Sequence, residues 1–235
     1  GFTFANYLKF FREQPYPEVL YLTFKLALTV TVACLLLGYP VAYLLATVSS
    51  RARGILMLFV LLPFFTSLLV RTYAWMAILQ KTGVINSLLQ KMGLIQEPIK
   101  MMFNTVGVTI GMVHVLLPFM ILPLYSGMSA IDLDLLKAAS SLGARPATAF
   151  LRVFVPLSVP GIAAGSLMVF IMALGFYITP ELLGGPRDYT MSRLIAVTIG
   201  QQLNWNFASA QAGILFAVTV IVMVIYQRVL GLERM

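Results

Sequence analysis

Five stretches of this chain, at about 21–47, 55–79, 105–127, 159–180 and 209–230, are apolar over a length that crosses a bilayer. A hydrocarbon core of about 30 Å takes roughly 20 residues of α-helix, and within it every backbone N–H and C=O must find a partner inside the protein. Such a chain is restricted to an all-α, polytopic helical bundle. Only 10% of its residues are charged, against about 25% in soluble domains, so most of its surface meets something other than water. The net charge of +8 raises nucleic acid as a partner, but the basic residues stand singly between apolar runs and form no stripe. They read as membrane-flanking charge, with lipid rather than nucleic acid as the partner.

The gaps between spans carry the remaining information. Residues 1–20 are expected outside the first span, where Thr3–Arg12 places Phe4, Tyr7, Leu8 and Phe11 on one face of a short interfacial helix. Charge counting leaves orientation open. Arg51, Arg53, Lys137, Arg145, Arg152, Arg228 and Arg234 lie on one side, and Lys9, Arg12, Lys81, Lys91, Lys100, Arg187 and Arg193 on the other. Pro40, Pro63, Pro118 and Pro123 fall inside spans and predict kinks. Cys34 is the only cysteine and His114 the only histidine, which excludes an internal disulfide and a cysteine-based zinc site, and no metal site is expected.

One insert, at 128–158, is polar and amphipathic. Ser129 is expected to cap a helix starting near Ala130, with Asp132 and Asp134 in its first turn. Leu135, Ala138, Ala139 and Leu142 then share one narrow apolar stripe, and two central alanines permit close approach by another surface. Gly143 is placed to end that helix, and Pro146 to open a second, with Phe150, Leu151 and Phe154 on its apolar face and Pro156 and Pro160 stopping it. Taken alone, the pattern fits a docking surface and a connector packed on its own protein equally well.

The spacing Ala138-Ala139, three residues, Gly143, nine residues, then Val153-x-Val155-Pro156 resembles the loop signature of permease subunits in ATP-binding-cassette importers. Phe2-Thr3-Phe4-Ala5-Asn6-Tyr7, Leu37-Gly38-Tyr39-Pro40-Val41-Ala42-Tyr43, Leu62-Pro63-Phe64-Phe65 with Leu69-Val70-Arg71, Leu117-Pro118-Phe119 with Leu122-Pro123-Leu124-Tyr125, and Gly175–Gly185 are similar to the spermidine/putrescine-type members. The resemblance implies a type I importer permease fold, with residues 21–235 as the permease domain and the insert in the cytoplasm. It also implies a sixth span ahead of Phe2, absent from these residues. Lys137, Ala138, Ala139, Leu142, Gly143, Phe150 and Pro156 become the expected contacts with the ATPase. Lys137 stands where the family carries glutamate. The implied partners are a second, different permease subunit, two ATPase subunits that bind ATP and magnesium, and an extracytoplasmic solute-binding protein, all at a bacterial inner membrane. This chain itself would need no cofactor.

Polar residues within the spans are the candidates for the cargo pathway. Arg71 lies about eight residues from its span's end, roughly 12 Å deep at 1.5 Å per residue. A buried arginine there costs about 2.5–3.5 kcal/mol on insertion scales, so it must face protein, a wet cavity or headgroups. His114 is placed to touch cargo, relay protons or bond another helix. Trp75, like Tyr73, fits either the pathway or the outer aromatic belt. Tyr177 and Glu181 stand beside Pro180 and Gly184-Gly185, where the helix is expected to unwind. A polyamine cargo would want that carboxylate and aromatic faces, whereas Lys25 and Arg71 leave an amino acid or opine-like solute open.

Two other classes make contrary demands. An intramembrane serine protease needs an activated nucleophile beside its base, yet no Gly-x-Ser-x-Gly and no second histidine occur. A secondary transporter is expected to show internal repeats, and none is evident. No Gly-x4-Gly-Lys-Ser/Thr loop occurs, so the expectation is a transport subunit, not an enzyme, driven by separate ATPase chains.

Overall fold

The computed structural model describes residues 4–186 and 188–230, and every regular element among them is helical. Phe2, Thr3, Arg187 and Arg234 lie outside the described residues. The chain runs through α1 (Ala5–Arg12), α2 (Tyr16–Thr47), α3 (Ser50–Leu61), α4 (Leu68–Leu79), α5 (Val84–Lys91) and α6 (Thr105–Ser129). It continues through α7 (Asp134–Ser141), α8 (Pro146–Ala149), α9 (Val155–Leu157), α10 (Val159–Leu174), α11 (Ile178–Leu183), α12 (Met191–Gly200) and α13 (Trp205–Leu230). A 3-10 turn at Leu62–Phe65 follows α3, and a π-helical turn at Phe150–Phe154 joins α8 to α9.

The helices α2, α6 and α13 are individually long and apolar enough to span a membrane. The span at 55–79, expected to kink at Pro63, is broken outright. Ser50–Phe65 and Leu68–Lys91 meet at 97°. Pro63 supplies no N–H, the backbone turns extended at Thr66, and the Thr66 hydroxyl donates to Pro63 O at 2.9 Å, closing the turn within the chain. The expected span at 159–180 ends at Leu174. It unwinds first at Gly175–Tyr177 and again, as expected, at Gly184-Gly185, whereas Pro180 falls in the first turn of α11, where a missing N–H costs nothing. The 60° bend into α10 is at Ser158, with Pro156 inside α9 and Pro160 in the first turn of α10. Pro40, Pro118 and Pro123 stay inside unbroken helices.

Ser129 does not cap the insert: α6 still includes it, and its hydroxyl donates back to Ser126 O at 3.0 Å. Helix α7 starts at Asp134 with Leu133 as an N-cap lacking a side-chain cap, and Asp132 Oδ1, one residue ahead, accepts the Asp134 N–H at 2.9 Å.

The core is the mutual packing of α2, α6 and α10, with Val30, Cys34, Leu116, Met120, Leu124 and Val169 enclosed among them. Hydrocarbon gives no hydrophobic drive between helices in lipid, so association relies on close van der Waals fit. Gly161 and Gly165, one turn apart on α10, supply it. A Cβ at Gly161 would stand 3.2 Å from Pro123 O, and one at Gly165 would stand 3.1 Å from Met120 O. Thr23 ties α2 to α12, donating to Val19 O at 2.7 Å and accepting the Met191 N–H at 2.9 Å.

Replacing Gly165 by Leu forces α10 away from α6. Overpacking of this kind costs about 1–3 kcal/mol, and we expect a lower thermal unfolding midpoint of the detergent-purified subunit, with Gly161→Ala showing a smaller loss. Wild-type midpoints for both would show that the crossing is not the tight contact described.

Candidate functional site

The insert folds as an elbow. Helix α7 ends in a glycine cap: Gly143 has φ of +86°, the Ala144 N–H donates to Ala139 O at 3.0 Å, and the Gly143 N–H donates to Ser140 O at 3.0 Å. The stripe expected to be apolar faces outward. Leu142 is 90% and Leu135 45% exposed, Ala138 is exposed, and Ala139 is half-buried. Leu136 instead faces the core. Among the described residues nothing covers this face, so along this stripe the insert is not packed on its own protein. Lys137 Nζ lies 2.7 Å from Asp134 Oδ1, so its charge is answered within α7. That bond first, and the charge of Asp134 second, raise the lysine above its ordinary pKa. The pairing is present below the usual lysine range and is lost only as pH climbs through the raised value, so Lys137 is a paired cation at neutral pH.

The far side of the elbow is clamped. Phe154 is fully buried and stacks on Phe150 at 5.6 Å, while Tyr43 meets both rings edge-on at 5.0 and 5.3 Å. Tyr39 approaches Phe150 at 6.2 Å, and its hydroxyl shares a 2.9 Å hydrogen bond with Ser158, the residue at the 60° bend. Of the residues assigned to ATPase contact, Lys137, Ala138, Leu142, Gly143 and Pro156 lie exposed on the surface and Ala139 half-buried beside them, whereas Phe150 turns inward and holds the elbow to α2.

The pathway candidates gather into two groups. Trp75 on α4 packs edge-on against His114 on α6 at 5.6 Å, which places this tryptophan among helices, whereas Tyr73 is exposed. Arg71 lies one turn before Trp75. Arg71 Nε and His114 Nδ1 are enclosed without a hydrogen-bond partner among the described residues. His114 also lines a cleft of about 330 Å³ with Leu56, Phe59, Pro63 and Pro118. In the second group, Tyr177 sits in the α10–α11 break, 40% exposed, and Glu181 lies one turn on. Helix α11 packs on both α4 and α6, so the two groups adjoin.

Sequence reasoning missed the partner of Glu181. Glu181 Oε2 is 2.7 Å from Arg193 Nε on α12, and the Arg193 guanidinium carbon lies 4.7 Å over the Tyr189 ring. The ion pair is close but off the hydrogen-bonding line. Arg193 had registered only as a flanking charge, and no local pattern links it to Glu181. The aromatic roles of Tyr39 and Tyr43 were equally hidden inside a span. Among the described residues no cluster of His, Cys, Asp or Glu could hold a metal.

Residues 20–232 match the family described as binding-protein-dependent transport system inner membrane component. The chain is 37% identical to the spermidine/putrescine transport system permease protein PotB of Escherichia coli K12 over 97% of its own length and 82% of that protein's. It is 36% identical to the same-named protein of Haemophilus influenzae, over 96% and 79%. A chain in the crystal structure of a bacterial alginate ABC transporter, complexed with an alginate-bound periplasmic protein, superposes with a TM-score of 0.72 at 20% identity, covering 97% of this chain and 82% of that one.

Truncating Phe154 to Ala removes the centre of the clamp. Deleting a buried aromatic costs about 3–5 kcal/mol, so hydrogen exchange across 134–157 should rise well above that of α6. Unchanged protection would mean that the aromatic stack does not hold the elbow.

Proposed function

The chain belongs to the family of binding-protein-dependent transport-system inner-membrane components, and from that premise we propose that it carries a polyamine and that its elbow is the handle through which a separate ATPase moves it. As a family member it is a multi-pass permease subunit of an ABC importer in the bacterial inner membrane, a transport component rather than an enzyme.

The observation that carries the coupling role is the two-sided character of the elbow. Its outward face offers uncovered Leu135, Ala138 and Leu142 around a glycine cap, while its inward face is locked to α2 and to the start of α10. Packed side chains transmit displacement because interiors are dense and compress little. A push on α7 therefore shifts α2 and α10, and with them the α10–α11 break. The ATPase takes the position of a groove-bearing partner for the elbow. Lys137 meets it as a neutralised residue, paired with Asp134, rather than as a free cation. In this reading two such ATPases bind ATP and magnesium, a second and different permease subunit completes the pore, and an extracytoplasmic binding protein delivers cargo.

The polyamine assignment rests on the 37% identity to PotB, whose name gives its cargo as spermidine and putrescine. The aromatic and acidic residues at the α10–α11 break suit such a cargo, because ammonium groups favour ring faces and carboxylates. A second reading, an amino acid-like solute with its own carboxylate, draws on the enclosed Arg71 Nε, which has no hydrogen-bond partner among the described residues.

Reconstitution with the partner subunits and the cognate binding protein tests both parts. Labelled spermidine or putrescine should accumulate in an ATP-dependent way, and uptake of amino acids alone would favour the second reading. Gly143→Asp should cut uptake about tenfold, ~1.4 kcal/mol of lost docking, while membrane insertion persists. Wild-type coupling in that variant would overturn the elbow's role. Ala139→Trp should likewise reduce the amount of ATPase that co-purifies.

A further inference from the structure

Glu181 is not available to cargo in this structure, because Arg193 already sits on it. Side-chain exposures of 35% and 22% leave the pair partly open to a cavity or solvent, with the contacting Oε2 and Nε themselves buried. Its geometry is that of a releasable contact. Charge proximity at 2.7 Å is strong, but the Nε–H does not aim at Oε2. With this as its one ion-pair partner among the described residues, the carboxylate keeps unused acceptor capacity. Arg193, in turn, is held from a second direction by the Tyr189 ring, so losing Glu181 would leave it a cation–π contact that offsets part of the loss.

Position supports the same conclusion. Helix α11 has six residues and stands between an unwound stretch at Gly175–Tyr177 and the end of regular structure at Gly184. Its buried Thr179, Pro180 and Leu183 anchor one side on α4 and α6, while Tyr177 and Glu181 stay partly exposed beside the break. Tyr177, one turn from Glu181, offers an exposed ring face, and α11 rests on the two helices that carry Trp75 and His114.

We propose that Arg193 acts as a built-in surrogate cargo: a cationic solute reaching the α10–α11 break displaces its guanidinium from Glu181, and the guanidinium stays on Tyr189. This rests on the polyamine reading above and adds to it a specificity element. Glu181 becomes a site that only a cation can open, since a neutral or anionic solute has no charge with which to compete. A primary ammonium is compact and carries three donors, so it can use the oxygen directions that the misaligned Nε–H leaves unfilled.

The competing explanation is a structural pin between α11 and α12, and the two differ in sign. In the assembled transporter, in nanodiscs and without binding protein, equilibrium binding of labelled spermidine should fall several-fold in Glu181→Gln. It should rise several-fold in Arg193→Gln, because the competitor is gone. A pin makes both substitutions lower binding together, and that result, or no change in either, overturns the exchange. Arg193→Met keeps much of the side chain's length and drops its charge. Should Arg193→Gln fail to assemble, tighter spermidine binding in Arg193→Met than in wild type supports the exchange, and equal or weaker binding overturns it. Binding-protein-driven uptake in wild-type proteoliposomes separates the two levels. Absence of polyamine uptake there defeats the cargo reading and this inference with it, whereas wild-type uptake with same-sign variants defeats the exchange alone.

Discussion

Inside hydrocarbon no water is present to receive a stray backbone donor or acceptor, and each unmade bond costs several kcal/mol. Breaks in helices are therefore tolerated only where side chains, neighbouring elements or a wet cavity take over the lost pairing. This chain breaks its apolar stretches at Pro63–Ser67, at Ser158 and at Gly175–Tyr177. The first is closed by the Thr66 hydroxyl, and the second lies beside the Tyr39–Ser158 bond. The third opens directly onto Tyr177 and Glu181. The breaks are where the molecule departs from a plain bundle, and both candidate sites lie at or beside them.

Between those sites runs a rigid connection. The α2–α6–α10 core is drawn tight by Gly161 and Gly165 against the backbone of α6, leaving little room for the helices to move independently. At one end of α2 the aromatic group of Tyr39, Tyr43, Phe150 and Phe154 receives the elbow. At the other, Thr23 accepts from the start of α12, the helix that carries Arg193. Motion imposed on the elbow thus has a packed route to the Glu181–Arg193 pair through one helix. The π-helical turn at Phe150–Phe154 fits this role, since such turns occur often where a helix must adjust for function.

The distribution of charge underlies the selectivity proposed here. Arg71 and Arg193 are both cations in protein-lined positions, yet they differ in company. Arg193 has a carboxylate and an aromatic ring, while Arg71 Nε has no hydrogen-bond partner among the described residues. In the exchange proposed above, a cationic cargo near these helices meets repulsion unless a carboxylate is freed, and Glu181 would then serve as the filter.

Much of this was legible in the residues themselves. Periodicity and apolar length determined an all-helical membrane bundle, because backbone satisfaction in lipid permits nothing else to span it open-ended. Gly143, Pro146 and the Ala138-Ala139 stripe marked the elbow, since caps and turns are local and depend on a few neighbouring dihedrals. Tertiary structure decided what local rules could not reach: which prolines break and which merely sit in a helix, which face of α7 looks outward, and that Phe150 points in. It also joined Glu181 to Arg193 and Tyr43 to Phe154, pairs separated by 12 and 111 positions in the chain. The reason is that a charge pair or an aromatic stack depends on distance in space, and a sequence encodes that distance only through the packing of every helix between.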